Sequence, residues 1–395
     1  MTLITSRSGG LLRSLLLPLV AFLLLAPAAS AQSVFNAGGL GLLLEPLDAR
    51  SRAMGGVGTG LQGWHMLMTD PAAAGGLNLP SITATFQPST SQVADGPEVG
   101  GTRFPVIGVS YPFGRHVVVA QFGSFLDQDW EVTANRTLDL ADGPVDAVDR
   151  YTSQGGIGQV RLGWAARFGD QVSLGANVGS LTGTVERRFT RELDPDQVGS
   201  DVEDYQVQGR WRVSGPTAGV GVNWDPSDFL RVGVGLEWTG DLTLAPSGGT
   251  AGAEREYDMP LTLRTGGSFT LAPDLVLALG MTRADWGGVD ADLGGDAARD
   301  VVWGYGGGLE WGRASLRGRS MPLRIGYRIQ ELPFHFQGEA SDERALSGGF
   351  GINLADTETM PVARLEFSLE RGSRDAGALS EDYWRTTLSL RLAGG

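Results

Sequence analysis

Apolar and other residues alternate strictly along most of this chain, and this period of two constrains its fold more than any other feature. Over residues 158–168, the even positions include Val160, Leu162 and Trp164, whereas the odd positions include Arg161. Successive side chains of a β-strand point to opposite faces, so the pattern predicts strands with one apolar face. We count fourteen such segments, at residues 81–88, 103–112, 115–138, 150–168, 171–190, 202–224, 229–246, 255–271, 274–288, 299–312, 320–331, 343–354, 361–371 and 381–393.

The connections between these segments alternate in length. Short turns are expected at 112–114, 169–170, 225–228, 272–274, 312–319 and 355–360. Longer loops rich in Gly and Asp are expected at 89–102, 139–149, 191–201, 247–254, 289–298, 332–342 and 372–380. Outer-membrane barrels sort their connections in this way, whereas a soluble sandwich has no reason to. The sequence therefore predicts an all-β fold, a transmembrane antiparallel β-barrel of about 14 strands with an N-terminal hatch in its lumen.

The first 31 residues resemble a secretory signal peptide. Arg7 and Arg13 flank the start of an apolar stretch that runs over 15–25, and a small-residue cleavage site follows at 29–31. The alternative is a transmembrane anchor, but the apolar run is shorter than the ~20 residues that a spanning helix needs. We expect export to the outer membrane of a Gram-negative-type bacterium, with membrane lipid and lipopolysaccharide as neighbours and both termini in the periplasm.

Residues 32–80 show no clean alternation and are rich in Gly and Ala. About fifty residues are too few for an independent stable domain without special staples. We expect this segment to pack inside the barrel as a hatch or plug; the alternative is a flexible periplasmic tail. Residues 81–395 then form the transmembrane barrel.

Charge balance and missing residue types exclude several classes of function. The chain has 45 Asp plus Glu against 31 Lys plus Arg, and its net charge of -14 argues against nucleic-acid binding. It has no cysteine and three histidines, and nothing resembles the nucleophile elbow of hydrolases. We expect no enzymatic activity, no cofactor and no metal site.

Carboxylates are concentrated in three of the predicted long loops. At these spacings they could bind calcium, but no EF-hand pattern is present, and a solvated acidic rim is the favoured interpretation. The residues concerned are Asp142, Asp146, Asp149, Asp194, Asp196, Asp201, Glu203, Asp204, Asp290, Asp292, Asp296 and Asp300.

Charged residues recur on the face of the strands that is predicted to point inward. Charges can lie inside a barrel only if they are hydrated or paired. They could line a transport path, or they could be structural pairs that hold a plug, and the second interpretation is favoured for any single residue. We expect Arg50 to pair with one of the lumen carboxylates. The predicted lumen charges are Arg161, Arg231, Glu237, Arg264, Glu310, Arg324, Arg364, Glu366 and Arg385.

Strand 299–312 contains Gly304, Gly306 and Gly308. Glycine weakens a strand and often marks a bulge or a close approach of another backbone. These glycines could therefore form a lateral gap in the wall, or they could make room for the hatch. The second alternative is favoured.

Three short stretches near the N-terminus resemble a known family. The chain reads LEPLDAR over 44–50, AMGGVG over 53–58 and DPA over 70–72. These stretches are similar to the FadL superfamily of outer-membrane barrels, most of all its PorV/PorQ-type branch, where ARxxxMGxA is followed by NPA before the first strand. The motif residues here are Asp48, Arg50, Met54, Gly55, Gly56, Asp70, Pro71 and Ala72.

The resemblance implies a fourteen-stranded barrel with a hatch, and either of two functions. FadL-type members carry hydrophobic molecules through a lateral opening in the wall, whereas PorV-type members are accessory barrels in protein secretion. Asp70 replaces the family's Asn, and the stretch 64–66 replaces the acidic residue that usually precedes this motif. These two departures argue against gating by the hatch. We expect passive transport of hydrophobic or amphipathic small molecules. The alternative is an accessory or structural barrel whose partners are secreted proteins.

Overall fold

The computed structural model describes residues 33–63, 65–94, 96–140, 143–198, 204–295, 297–356 and 361–394. The predicted signal peptide lies outside these residues. The described part contains short helical turns, named α1 for Ala49–Ala53, α2 for Pro195–Val198 and α3 for Gly287–Asp292, with 3-10 turns at Val34–Ala37 and Pro71–Gly76. Its strands are β1 Leu42–Leu43, β2 Ser81–Val93, β3 Val99–Arg103, β4 Ile107–Phe113, β5 His116–Asp127, β6 Trp130–Leu140, β7 Gly143–Phe168, β8 Val172–Leu193, β9 Tyr205–Ser227, β10 Leu230–Thr239, β11 Leu242–Ser247, β12 Arg255–Tyr257, β13 Leu261–Ala272, β14 Leu275–Asp285, β15 Val301–Trp311, β16 Ser315–Leu316, β17 Arg319–Ser320, β18 Leu323–Glu331, β19 Ser341–Asp356, β20 Pro361–Ala376 and β21 Leu379–Ala393.

These strands form one closed antiparallel barrel. The wall consists of fourteen barrel strands, hereafter called staves, and four of the staves are interrupted. β3 and β4 form one such stave, as do β5 and β6, β10 and β11, and β12 and β13. The barrel closes because β21 pairs with β2, from Ser81↔Ala393 to Val93↔Glu381. β1 lies outside this count, and β16 and β17 form a small hairpin in a turn. The predicted all-β barrel of fourteen strands is therefore confirmed.

The outward face of the barrel is apolar and exposed. Leu162 is 63% exposed and Val234 is 45% exposed, whereas the intervening Arg161 is 1% exposed. Soluble proteins rarely expose apolar patches of more than a few hundred Å², so a continuous band of this kind fits a lipid environment. No helix within the described ranges is long and apolar enough to cross a membrane.

Several strands are much longer than the sequence pattern predicts. β7 has 26 residues, whereas ~9–11 residues suffice to cross a bilayer. The expected loop over 139–149 is largely a ladder between β6 and β7, and most of 89–102 and 372–380 is strand as well, so those loop predictions are wrong. Their Gly and Asp residues suggested loops, but outside the bilayer an antiparallel ladder satisfies the backbone while its polar side chains face water.

We call the extension formed by β6 and residues 143–153, 183–193 and 205–214 of the next three strands the protruding sheet. It stands at the end of the barrel that carries the longer connections, hereafter the long-loop end. The opposite, short-turn end carries tight connections such as 114–115 and 273–274.

The described residues of 33–80, hereafter the N-terminal segment, contact the inward face of strands on opposite sides of the barrel. Ala49 N donates to Ser389 Oγ on β21 at 2.8 Å, and Asp70 accepts from Asn223 Nδ2 on β9 at 3.0 Å. A Cβ on Gly308 of β15 would lie 2.7 Å from Met54 Cα. The segment therefore contacts inward-facing residues of β9, β15 and β21.

Candidate functional site

The barrel wall is interrupted on one side. β4 pairs with β5 from Ile107↔Phe122 to Phe113↔His116. Toward the long-loop end, the described pairings of β3 are with β2 alone, and those of β6 are with β7 alone. The two staves therefore separate at this level, and the backbone ladder between β3 and β6 is missing.

Local sequence explains this break. Pro105 has no N–H to give to a ladder, and the neighbouring Val106 carbonyl accepts instead from Thr85 N at 2.7 Å. On the facing stave, Phe125 is a bulge in the pairing with β7. Gly155 N donates to the Asp129 side chain at 2.5 Å, which holds the backbone after β5 against β7. β5 consequently bends inward where β3 ends.

The N-terminal segment covers the inner side of the break. Its β1 pairs with the end of β5, Leu42 with Asp127 and Leu43 with Leu126. Leu44 N also donates to the Phe125 carbonyl at 2.8 Å. Arg103, the last residue of β3, pairs with Asp127 across the gap. Among the described residues, the Arg103–Asp127 ion pair and a hydrogen bond from Ser124 Oγ to the Phe104 carbonyl at 3.3 Å cross the gap, whereas a full ladder joins neighbouring staves elsewhere.

A large apolar cluster lies beside this break, in the part of the lumen nearest the long-loop end, hereafter the upper lumen. Its buried residues come from the N-terminal segment, from β5, β7, β8, β9, β11, β12, β14 and β15, and from loops at this end of the barrel. They include Leu126, Ile157, Leu242 and Trp286. A pocket of about 160 Å³ opens within it. Its lining is Gly39, Leu40, Gln128, Ile157, Val185, Arg187, Trp211, Val213, Leu242, Leu244, Arg255, Tyr257 and Leu293. Gln128 follows the bend of β5, so the pocket reaches the interrupted wall.

The motif residues of the N-terminal segment organise its contacts with the wall. Asp48 caps α1 by accepting from Ser51 N at 2.8 Å. Arg50 forms two hydrogen bonds to Glu310, from Nε at 2.7 Å and from Nη2 at 2.9 Å, and a third to the Gln62 carbonyl at 2.6 Å. His65 Nε2 lies 2.6 Å from Arg50 Nη1.

The second motif, DPA, packs against the facing wall. Asp70 accepts from Gly60 N at 3.1 Å, from Ala73 N at 3.1 Å and from Asn223 Nδ2. A Cβ on Gly175 of β8 would lie 2.3 Å from the backbone of Pro71 and 2.5 Å from Ala72 N. Desolvation raises the pKa of the Asp70 carboxyl, although its hydrogen-bond donors favour the ionised form.

The glycines of β15 receive the N-terminal segment. Met54, Gly55 and Gly56 form the turn after α1, and both glycines have positive φ, at 72° and 79°. A Cβ on Gly306 would lie 2.1 Å from Gly55 O. β15 also pairs with β14 and β18 through Gly304, Gly306 and Gly308 without interruption. The contacts therefore match the alternative in which these glycines make room, and the observed break lies elsewhere.

The predicted lumen charges occur as pairs. Glu237 accepts from Arg161 at 2.6 Å and from Arg264 at 2.8 Å, and Arg231 binds Asp225 at 2.5 Å. Glu310 and Glu366 bridge a second group that contains Arg324 and Arg364. Arg385 binds Glu370 at 2.6 Å.

A further charged network lies on the inward face, and of its members only Arg328 was assigned to that face from the sequence. Arg328 binds Glu343 at 2.5 Å and Glu370 at 3.1 Å, and Arg374 binds Glu343 and Glu381 at 2.7 Å each. Glu381 also accepts from Ser33 Oγ at 2.7 Å, which anchors the start of the N-terminal segment. Arg328, Glu343, Glu370 and Glu381 lie within predicted strands, where alternation could have placed them on the inward face, whereas Arg374 lies past the predicted end of its strand at residue 371.

Several loop carboxylates have protein partners. Asp149 binds Arg191 at 2.6 Å, and Asp290 accepts from Ala297 N and Ala298 N at 2.7 Å each. Asp142, Asp201, Glu203 and Asp296 lie outside the described residues. Within the residues that are described, no group of three or more His, Cys, Asp or Glu is placed to hold a metal ion.

The barrel resembles several solved structures in its overall fold. The monoaromatic hydrocarbon channel CymD has a TM-score of 0.58 and 14% identity, and covers 90% of this chain and 98% of its own. The Ralstonia pickettii toluene transporter TbuX has a TM-score of 0.59 and 15% identity over 89% of this chain and 99% of its own. A Pseudomonas aeruginosa FadL homologue has a TM-score of 0.53 and 13% identity over 93% and 99%. At these identities the likeness shows the fold, a FadL-like barrel.

Sequence comparison identifies the family. No curated protein matches the chain. The matches given above do not show the PorV/PorQ branch that the N-terminal motif suggested. The family model described as BamG matches residues 12–237, which is more than half of the 395 residues. The chain therefore belongs to the BamG family.

Proposed function

We propose that this protein is a passive outer-membrane channel for small hydrophobic molecules, which leave the upper lumen sideways through the break between β3 and β6. The observation that carries this proposal is the apolar pocket beside the interrupted wall. A transporter of this kind needs an apolar binding site that is continuous with a gap, and Gln128 lines the pocket at the bend of β5.

The size of the pocket indicates the size of the ligand. An apolar cavity of about 150 Å³ is large enough to bind benzene. The pocket of about 160 Å³ therefore suits a molecule with one aromatic ring. Arg187, Arg255 and Gln128 add a polar rim, which would accept a substituent that forms hydrogen bonds.

The N-terminal segment serves as the hatch in this proposal. It fills the lumen below the pocket, and the other interior cavities that it lines are about 20, 40 and 130 Å³. A straight path through the barrel would require the segment to leave, whereas a lateral path requires only a small movement of β1. The proposal places the long-loop end outside the cell and both termini in the periplasm.

An accessory barrel that binds secreted or surface-assembled proteins is the second candidate. The protruding sheet favours it, because Tyr151, Tyr205 and Val207 are 38%, 61% and 50% exposed there. Exposed apolar patches often mark interaction sites. Such a barrel needs neither the pocket nor the break.

Uptake of labelled toluene into a host that lacks its own hydrophobic channels tests the transport proposal. Val185→Trp fills the pocket, since Val185 lines it and is 3% exposed. Uptake should fall at least fivefold. Val222→Trp places the same side chain on the outward face of β9, where Val222 is 44% exposed, and should leave uptake unchanged.

Leu242→Ala enlarges the same pocket and separates blockage from misfolding. It should keep toluene uptake and raise uptake of a two-ring hydrocarbon. If the unmodified protein supports no toluene uptake above that of the empty host, the transport proposal is wrong and the accessory barrel becomes the better interpretation.

A further inference from the structure

The outward face of the protruding sheet carries a group of charged side chains, toward the long-loop end from the lipid-facing residues of β8 and β9. Even-numbered positions of both strands point outward, since Val178 is 63% exposed and Val220 is 55% exposed. We call the charged residues at these positions the outer arginine cluster. They are Glu186 and Arg188 on β8, and Arg210 and Arg212 on β9.

Positive charge exceeds negative charge in the outer arginine cluster. Glu186 binds Arg188 at 3.1 Å and Arg210 at 2.6 Å, so one carboxylate serves two guanidinium groups. Arg212 is exposed on the same face, and no carboxylate of the described residues lies within ion-pair distance of it. Three cations therefore share one carboxylate.

Other carboxylates near this face do not supply the balance. Glu192, four residues beyond the cluster on β8, binds Arg150 at 3.8 Å. Four residues correspond to about 13 Å along a strand. Glu254 and Glu256 lie on the far side of β11 from β9, because β11 pairs with both β9 and β12. Two strand spacings are about 9–10 Å, so neither carboxylate is an ion-pair partner of the cluster.

The outer arginine cluster begins at the level where lipid headgroups are expected. Trp224, near the short-turn end of β9, is 52% exposed on the same outward face. Arg212 is twelve residues away, about 41 Å along a strand at ~3.4 Å per residue. At a tilt of about 40° this is about 31 Å of height, whereas the apolar band of an outer-membrane barrel is about 25 Å tall. Arg212 therefore lies just beyond the hydrocarbon, and the rest of the cluster lies farther out.

We propose that the outer arginine cluster binds the phosphate groups of lipopolysaccharide in the outer leaflet. Guanidinium groups are planar forks that bind two phosphate oxygens at once. Arg188 and Arg210 are 45% and 53% exposed, so a phosphate group reaches both without displacing Glu186. This surface goes beyond the proposed transport, although it uses the proposed orientation, with the long-loop end outside the cell.

Native mass spectrometry of the full-length protein in detergent tests this surface, with bisphosphorylated lipid A as the probe. The unmodified protein should bind this lipid saturably, at least tenfold more tightly than lipid A from which both phosphates have been removed. Arg210→Gln and Arg212→Gln should each weaken binding at least fivefold. Arg150→Gln is the matched control, because Arg150 is 43% exposed on the same face but is flanked by Glu131 at 3.6 Å and by Glu192. It should bind lipid A as the unmodified protein does.

Equal binding of the two forms of lipid A overturns the proposal, and so does undiminished binding by both Arg210→Gln and Arg212→Gln. Phosphatidylglycerol is a second probe and should bind at least fivefold more weakly than bisphosphorylated lipid A. If it binds equally well, the cluster recognises anionic lipids in general and the assignment to lipopolysaccharide is wrong. All the substituted side chains are exposed, so the variants should keep the melting temperature of the unmodified protein. Toluene uptake tests the transport proposal independently of these results.

Discussion

Arg50 of the N-terminal segment and Glu310 of β15 form a bidentate ion pair between positions 260 residues apart, with contacts of 2.7 and 2.9 Å. Arg324 donates to the same carboxylate at 2.6 Å. Arg50 is 11% exposed and Glu310 is 13% exposed. The pair therefore ties the segment to the wall through two side chains that are both largely buried.

We expect Arg50→Ala to loosen the N-terminal segment. Removing one partner of a buried pair costs about 3–5 kcal/mol, because the remaining charge is left uncompensated. The melting temperature should fall, and so should the temperature at which the folded band converts to the unfolded band in a heat-modifiability gel. Arg136→Ala removes a side chain that is 60% exposed and should change neither. Unchanged melting of Arg50→Ala would show that the segment is held by other contacts.

The strand pattern predicted the barrel because every stave has the same local requirement within the bilayer, one apolar and one polar face. That requirement ends at the membrane surface, and the predicted strands therefore end there too. In the protruding sheet, outward residues such as Arg150 and Gln208 are polar, while Tyr205 and Val207 are exposed on inward positions. A search for alternation that requires an apolar outward face therefore detects no strand beyond the point where the outward residues become polar.

The site was harder to predict than the fold because it depends on pairings between distant positions. Pro105 marks one side of the break in the sequence, but the bulge at Phe125 has no comparable signal. The glycines of β15 were equally ambiguous. Whether a strand glycine opens a gap or admits another backbone depends on what lies against it, here Gly55 O at 2.1 Å from a Cβ on Gly306.

We expect Gly306→Val to displace the N-terminal segment without opening the wall. Its Cβ would overlap Gly55 O, while Gly306 remains paired with Gly280 and Arg328. Limited trypsin digestion measures the displacement, because the chain has no lysine and cleavage after the buried Arg52 requires the segment to leave. Cleavage there should become at least tenfold faster.

Gly114→Val is the matched control for this experiment, since a Cβ at Gly114 meets nothing within 4 Å, although its φ of 62° adds local strain. It should leave cleavage after Arg52 at the rate of the unmodified protein. Equal protection of both variants would mean that the turn around Gly55 can move aside at no measurable cost.

An arginine should be costly on the lipid-facing side of β10. Val234 is 45% exposed at the middle of this strand, and an arginine near the bilayer midplane costs about 2–4 kcal/mol. Gln208→Arg, on the outward face of the protruding sheet, should cost less than about 1 kcal/mol. Urea unfolding in lipid vesicles measures both.

His65 should make the docking of the N-terminal segment sensitive to pH. Burial and the Arg50 guanidinium lower the pKa of His65 in the folded state, whereas the unfolded residue titrates near 6.5. The unfolded state then binds the proton more readily, so the stabilisation is complete above about pH 6.5 and is lost as pH falls below it. Cleavage after Arg52 should accelerate between pH 7 and pH 5.

His65→Gln keeps a hydrogen-bond acceptor for Arg50 and should flatten this dependence, whereas His335→Gln, in a loop at the opposite end, should retain it. An identical pH profile for His65→Gln and the unmodified protein would assign the sensitivity to carboxylates instead.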